Sequence, residues 1–198
     1  MKDAEELLRA ALAKVPAGLA EHVMRVVDEA ERLAAVHGVD RDAVRIAALG
    51  HDLLRAHSDE RLLTIAGEQG YPMDDVDRME PVLLHGPLAV PILREQYGVV
   101  DADVLGAVAS HTTAAPHMTK LQKLLFVADK IERRSAVEHV RELAETDLDA
   151  AMRAYLDLHV LVALEERWPL HPRTVAARNE LVASERGALR ARGVRSEE

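Results

Sequence analysis

The chain has 198 residues, enough for one substantial core, and 48% of them are apolar while only 3% are aromatic, so that core must be Leu, Ala and Val. Its 34 acidic against 25 basic residues give a net charge of −9, which argues against nucleic acid held on a basic face, and the lack of cysteine excludes disulfides, thiolate metal sites and cysteine nucleophiles. No apolar run reaches the roughly 18 to 20 residues that span a bilayer, and the acidic N-terminus lacks an apolar signal core, so a cytoplasmic protein with no membrane partner is expected.

Residues 3 to 15 predict a short amphipathic helix with Leu7, Leu8, Ala11 and Leu12 on one side, punctuated by Pro16 and Gly18. A longer helix is expected over 19 to 37, where Leu19, Val23, Val26, Ala30, Leu33 and Ala34 recur at helical spacing and His22 points inward. Gly38 should cap it, and Asp40 should open the next helix as its N-cap. That helix, 43 to 56, reads AVRIAALGHDLLRA, with Val44, Ala47, Ala48 and Leu54 as its inward stripe and His51 and Asp52 in the middle. Gly50 has no Cβ and lets a neighbouring helix or a ligand come close.

Short helices are expected over 59 to 69 and 74 to 84, then over 87 to 97, and from a cap at Asp101 or Asp103 up to His111. After Pro116, Met118, Leu121, Leu125 and Ala128 define a buried stripe with Asp129 one turn from Leu125. Residues 136 to 167 read as a charged amphipathic helix or a pair of them, 170 to about 183 as a last helix, and 187–198 as a frayed polar tail. No strand pattern exceeds four residues. The reading is all-α, one domain over 1–198 with its motif core at about 18–135 and C-terminal helices at 136–183.

An imidazole and a carboxylate inside an apolar stripe are costly to bury unless something charged or hydrogen-bonding meets them. A divalent metal meets both, and a simple His–Asp hydrogen bond at a helix end would also serve. His22, His51, Asp52 and Asp129 all point inward, with His85 and His111 beside helix ends. Such a set from separate helices is a natural metal site in a bundle core. His37, His57, His117, His139 and His159 have Gly, Pro or charged neighbours, which predicts solvated rings. Arg55 can reach a phosphate or be merely solvated, and Thr112 offers a hydroxyl and an N–H or a helix cap. Pro172, Arg173 and Thr174 open a helix whose free N–H groups suit an anion, although an ordinary helix start reads the same way. Trp168 can stack on a base or simply pack.

The order His22, His51-Asp52, Asp129 resembles the H…HD…D signature of the HD-domain metal-dependent phosphohydrolases. LLHGP at 83 to 87, SHTT at 110 to 113, MTKLQKLLFVADKIE at 118 to 132 and LHPRTVAARN at 170 to 179 resemble the YqeK branch, the symmetrical bis(5′-nucleosyl)-tetraphosphatases, over roughly 5 to 182. The resemblance implies an HD-domain helical bundle with a metal site in its core, hydrolysing diadenosine tetraphosphate into two ADP. It implies His22, His51, Asp52 and Asp129 as ligands of one divalent ion rather than two, iron first, with manganese, cobalt or zinc as alternatives. Asp52, His85 and His111 would be catalytic, Asp52 orienting water and the histidines touching phosphates, protonating the leaving oxygen or ligating a second ion.

Substrate contacts would come from His22, Asp52, Arg55, His85, His111, Thr112, Asp129, Arg133, Arg134, Pro172, Arg173 and Thr174, and a homodimer is implied by resemblance alone. Three positions depart from the pattern: Arg55 replaces the usual Lys, Ala114 replaces the Gly of HTTG, and Arg133-Arg134-Ser135 replaces Pro-Asn-Arg after ADxIE. Arg133 or Arg134 is therefore expected to stand in for a displaced phosphate-facing arginine. The alternatives are an HD phosphohydrolase for another nucleotide and a non-catalytic nucleotide sensor.

Overall fold

A computed structural model describes residues 2–132 and 137–191, and all regular structure among them is helical. In order come α1 (Lys2–Leu12), α2 (Ala17–His37), α3 (Arg41–Gly50), α4 (Asp59–Glu68), α5 (Asp75–Met79), a 3-10 turn (Pro81–Leu84), α6 (His85–Tyr97) and α7 (Ala102–Ser110). Then follow α8 (Lys120–Ile131), α9 (Glu138–Ala144), α10 (Leu148–Glu166) and α11 (Pro172–Ala191). Helices α2, α3, α7 and α8 form the centre, with α1 laid over α3, α6 along α7, α10 over α8 and α11 against α10.

The apolar spacing of the sequence makes that centre. Val23, Val26, Ala30, Leu33 and Ala34 of α2 face Val44, Ala47 and Ala48 of α3, and Val104, Ala107, Val108, Leu121, Leu125 and Ala128 complete a buried cluster. Each fully buried Leu or Val contributes about 1.5–3 kcal/mol relative to an exposed one. Sharp helix ends fix the registers. Gly38 ends α2 at φ 66°, and the Asp40 carboxylate then accepts N–H bonds from Asp42 (2.8 Å) and Ala43 (3.2 Å). Asp101 caps α7 in the same way.

Two expectations change, and one left open is decided. Pro81 cannot donate a backbone bond, so the stretch 74 to 84 divides into α5 and the 3-10 turn. Residues 137–167 form the pair of helices rather than one, because the Asp147 carboxylate accepts from Asp149 (2.9 Å) and Ala150 (3.0 Å) and starts α10 anew. The last helix continues past 183 and past Gly187 to Ala191, carried by strong helix formers and by an Arg153–Glu185 ion pair of 3.0 Å. Among the described residues no helix is long and apolar enough to cross a membrane.

Candidate metal centre

Three of the inward histidines use one device. His51, His85 and His111 each follow the end of a helical segment, α3, the 3-10 turn and α7 respectively. The last carbonyls of a helix lack an intrahelical partner; the rings of His51 and His111 supply one, and the His85 ring adds a second donor to the Val82 carbonyl, which the His85 backbone N–H also reaches. Nδ1–H donates to the carbonyl three residues earlier, Ala48 (2.6 Å), Val82 (2.5 Å) and Val108 (2.8 Å). A carbonyl only accepts, so Nδ1 carries a proton, and in the neutral ring Nε2 presents a bare lone pair, while a ring that takes a second proton donates it from Nε2 to Asp52. By taking the Ala48 carbonyl, His51 also ends α3. The chain goes on in tight turns, with Leu53 N–H on Gly50 O (3.3 Å) and Arg55 N–H on Asp52 O (3.0 Å). The expected helix over 43 to 56 is therefore corrected: His51 and Asp52 stand at its C-terminal edge, not in its middle.

His22 comes from the interior of α2, and its Nδ1 bonds Glu132 Oε1 at 2.5 Å. All four Nε2 atoms gather around two carboxylates. His22 and His51 bring theirs to 3.4 Å of each other, and His85 and His111 to 2.9 Å. Asp52 lies between the pairs. Its Oδ1 is 3.0 Å from His85 Nε2 and 3.5 Å from His111 Nε2, while its Oδ2 is 3.5 Å from His22 Nε2 and 3.6 Å from His51 Nε2. Asp129, from α8, sets Oδ1 3.2 Å from His22 Nε2 and 3.8 Å from His51 Nε2. Gly86 makes the His85–His111 approach possible, since a Cβ there would sit 2.7 Å from the Val108 carbonyl oxygen and 3.1 Å from the His111 ring. At Gly50 the close neighbour is Leu93 of α6, 3.1 Å from where a Cβ would lie.

The electrostatics follow from burial. For Asp52, burial opposes ionisation, but His51, His111 and His85 outweigh it and hold the carboxyl well below its usual range. For Asp129, Lys130 and His22 overcome burial in the same direction. Burial pushes His111 down to about 4, against the pull of Asp52. For His22 burial lowers the pKa, but the bonds to Asp129 and Glu132 prevail and raise it. Unprotonated nitrogens at 2.9 Å repel unless a cation lies against them, and a set of imidazoles and carboxylates without sulfur suits iron, manganese, cobalt or zinc. The residues present fit a divalent metal.

A second cluster does not. His171 Nε2 lies 3.3 Å from both Asp74 and Asp77, but the backbone N–H of Arg173 donates to its Nδ1 (3.1 Å). With the lone pair taken there, Nε2 carries the proton and donates to the carboxylates. This buried histidine, which sequence reasoning did not single out, clamps the start of α11 to α5.

Two cavities of about 540 and 250 Å³ meet at the cluster and share His22, Asp52, Arg55, Asp129, Lys130 and Tyr155. Arg55 is exposed at that shared wall. Thr112 and Thr174 line the smaller cavity, their hydroxyls donating to the carbonyls of Leu83 (3.3 Å) and Thr113 (2.7 Å). Pro172 and Arg173 line neither cavity, and Arg173 donates to the Tyr71 hydroxyl at 3.0 Å. Trp168 is exposed and also lines neither. Arg133 and Arg134 lie outside the described residues.

Sequence reasoning passed over Lys130, whose Nζ is 2.7 Å from Asp129 Oδ2 and 5.3 Å from the Phe126 ring centroid, and Tyr155. Their position one helical step from the buried stripe was the available signal for Lys130; for Tyr155 there was none. His57, His117 and His139 are exposed as expected. His37 is half-buried on the Ala144 carbonyl (2.6 Å), and His159 is half-buried with its ring parallel to Tyr155 at 6.4 Å. The His37 partner comes from a distant helix that local neighbours do not reveal, whereas Tyr155 is one turn before His159 on α10. Ala114, where the resembled pattern has Gly, sits at φ 59°, a left-handed backbone that costs a residue with a Cβ about 1 kcal/mol or more.

The family model for the HD domain matches residues 19–134. A protein of Halalkalibacterium halodurans named "Bis(5′-nucleosyl)-tetraphosphatase, symmetrical" is 32% identical over 84% of this chain and 90% of its own length. A protein of the same name from Bacillus subtilis is 34% identical, covering 82% of this chain and 88% of itself. A crystal structure from Clostridium acetobutylicum, described as a predicted HD superfamily hydrolase involved in NAD metabolism, superposes with a TM-score of 0.86 at 30% identity, over 90% of this chain and 96% of that one.

Proposed function

This chain belongs to the HD domain family, and within it we propose that it is a symmetrical bis(5′-nucleosyl)-tetraphosphatase, adding one water across the central phosphoanhydride of diadenosine tetraphosphate to release two ADP. The observation that carries this reading is the convergence of His22, His51, Asp52, His85, His111 and Asp129 on one point, in a chain similar nearly end to end to relatives of that name.

Asp52 directs one oxygen to each histidine pair. That division supports two adjacent cation positions, one held by His22, His51 and Asp129, the other by His85 and His111, with Asp52 common to both. The sequence favours one ion; the split carboxylate and the close His85–His111 pair favour two. Iron stays the first candidate on resemblance. When bound, a divalent cation draws charge from phosphoryl oxygens and makes a water acidic enough to attack near neutral pH.

The chain's own residues do the rest. Asp52, ionised and nearly buried, accepts a hydrogen bond from the attacking water and orients it toward phosphorus. Arg55 and Lys130, on the wall shared by both cavities, bring positive charge to a polyphosphate. A cleft whose two lobes meet over the reacting point suits a substrate with a nucleoside at each end, and Leu83, Phe126 and Leu156 give the smaller lobe an apolar lining for a base. A cytoplasmic homodimer belongs to the same reading. Exposed Leu161, Leu164 and Trp168 offer α10 and its C-terminal end as a contact surface, which light scattering tests. For the activity, the purified protein is incubated with the dinucleotide and iron, manganese or cobalt, and the products are separated. Two ADP, without AMP, ATP or free phosphate, are expected; AMP with ATP, or binding without turnover, overturns the reading.

A further inference from the structure

Of the four histidines that turn Nε2 toward the cluster, His22 alone is held by a carboxylate. The reason lies in where it sits. The other three follow the ends of helical segments, where a carbonyl three residues back is open to the ring, whereas His22 lies inside α2, where the backbone carbonyls are already bonded along the helix. A mid-helix ring must find its acceptor on another element. Glu132, at the C-terminal cap of α8 and one turn beyond Asp129, provides it, with a side chain only 2% exposed. Its Oε1 is 2.5 Å from His22 Nδ1, and its Oε2 accepts Arg25 Nε–H at 2.8 Å. Arg25 is one turn from His22 on the same face of α2, and 43% of its side chain is exposed. A line of charge-assisted hydrogen bonds thus runs from solvent through Arg25 and Glu132 to the ring.

We propose that Glu132 is a positioning residue for the metal centre: it fixes the proton of His22 on Nδ1, aims Nε2 at the cation site, and strengthens that nitrogen as a donor, while Arg25 pairs with its other oxygen and holds the carboxylate in place. This rests on the metal-centre reading above. A buried carboxylate is costly unless paired, and here both oxygens have cationic or N–H partners. A carboxylate behind a ligating imidazole orients the ring and raises its basicity, and its loss typically weakens metal binding by about 10- to 100-fold. The three carbonyl-held rings have no such support.

The test compares wild type and Glu132→Gln by competition for zinc against a chromogenic chelator, with circular dichroism as the check on folding. The substitution keeps the shape and an acceptor oxygen but removes the charge. Zinc affinity is expected to fall about 10-fold or more with helicity unchanged, and an affinity within roughly twofold of wild type overturns the proposal. Should the variant fail to fold, nitrogen NMR of the zinc-loaded wild type decides: His22 must carry its proton on Nδ1, and a bare Nδ1 overturns it. A wild type that binds no zinc at all sinks the metal-centre reading instead, so the two failures are distinct.

Discussion

His85 Nε2 and His111 Nε2 lie 2.9 Å apart in the core, each with its Nδ1 proton already given to a backbone carbonyl. While both rings are neutral neither can donate to the other without changing tautomer, so the pair is arranged for a cation rather than for a mutual hydrogen bond. His111→Ala should therefore reduce the metal bound per chain without unfolding the protein and lower turnover by about 10²- to 10⁴-fold, the range for losing a catalytic group. Elemental analysis beside rate measurement checks it; an unchanged metal content would remove His111 from the ligand set.

Gly86→Ala reaches the same pair without touching either ring. The new Cβ would press on the Val108 carbonyl at 2.7 Å and force α6 away from α7. A cost of about 1–3 kcal/mol is expected from overpacking, with a loss of turnover larger than the loss of stability explains. Thermal unfolding and kinetics on one preparation test this, and full activity would show that the spacing of His85 and His111 is not critical.

Much of the site is legible in the sequence because helical periodicity says which polar residues point inward, and His22, His51, Asp52 and Asp129 do meet. Periodicity cannot say that His51 ends its own helix, since that depends on a ring nitrogen competing for the Ala48 carbonyl. It is equally blind to contacts between distant segments. His171 looks like an ordinary residue before Pro172 until α5 brings Asp77 to it, and Glu132 looks like a helix-end acid until α2 brings His22. Ala114 departs from the resembled pattern in the sequence, and only its left-handed backbone explains why a glycine suits the position.

The metal-stripped protein should be most stable near pH 6.5. His111, whose pKa falls from 6.5 to about 4 on folding, binds its proton more readily when unfolded, so stability drops as pH falls between those values, by about 3 kcal/mol in all. His22, whose pKa is raised, stabilises fully below 6.5, and that contribution fades as pH rises through its folded value. Unfolding temperatures across this range check both limbs; stability still rising steadily from pH 6.5 down to 4 would contradict the assignment.

Arg55→Ala should act on substrate rather than on metal, whereas Lys130→Ala should weaken substrate binding and also disturb Asp129, whose Oδ2 lies 2.7 Å from Lys130 Nζ. Each removes a cation from the wall common to both cavities, and losing one charged hydrogen bond is expected to raise KM by about 10- to 100-fold. Arg55→Ala in particular should retain full metal content, because its guanidinium is exposed and outside the ligand cluster. Unchanged KM in both variants would place the polyphosphate elsewhere.

The most direct test is Asp52→Ala, because among the described residues Asp52 alone lies against both histidine pairs. Metal content and ADP release from diadenosine tetraphosphate are measured on variant and wild type prepared side by side. The variant is expected to stay helical, to lose bound metal and to release no detectable ADP. A variant that keeps the wild-type metal content and rate would contradict the account.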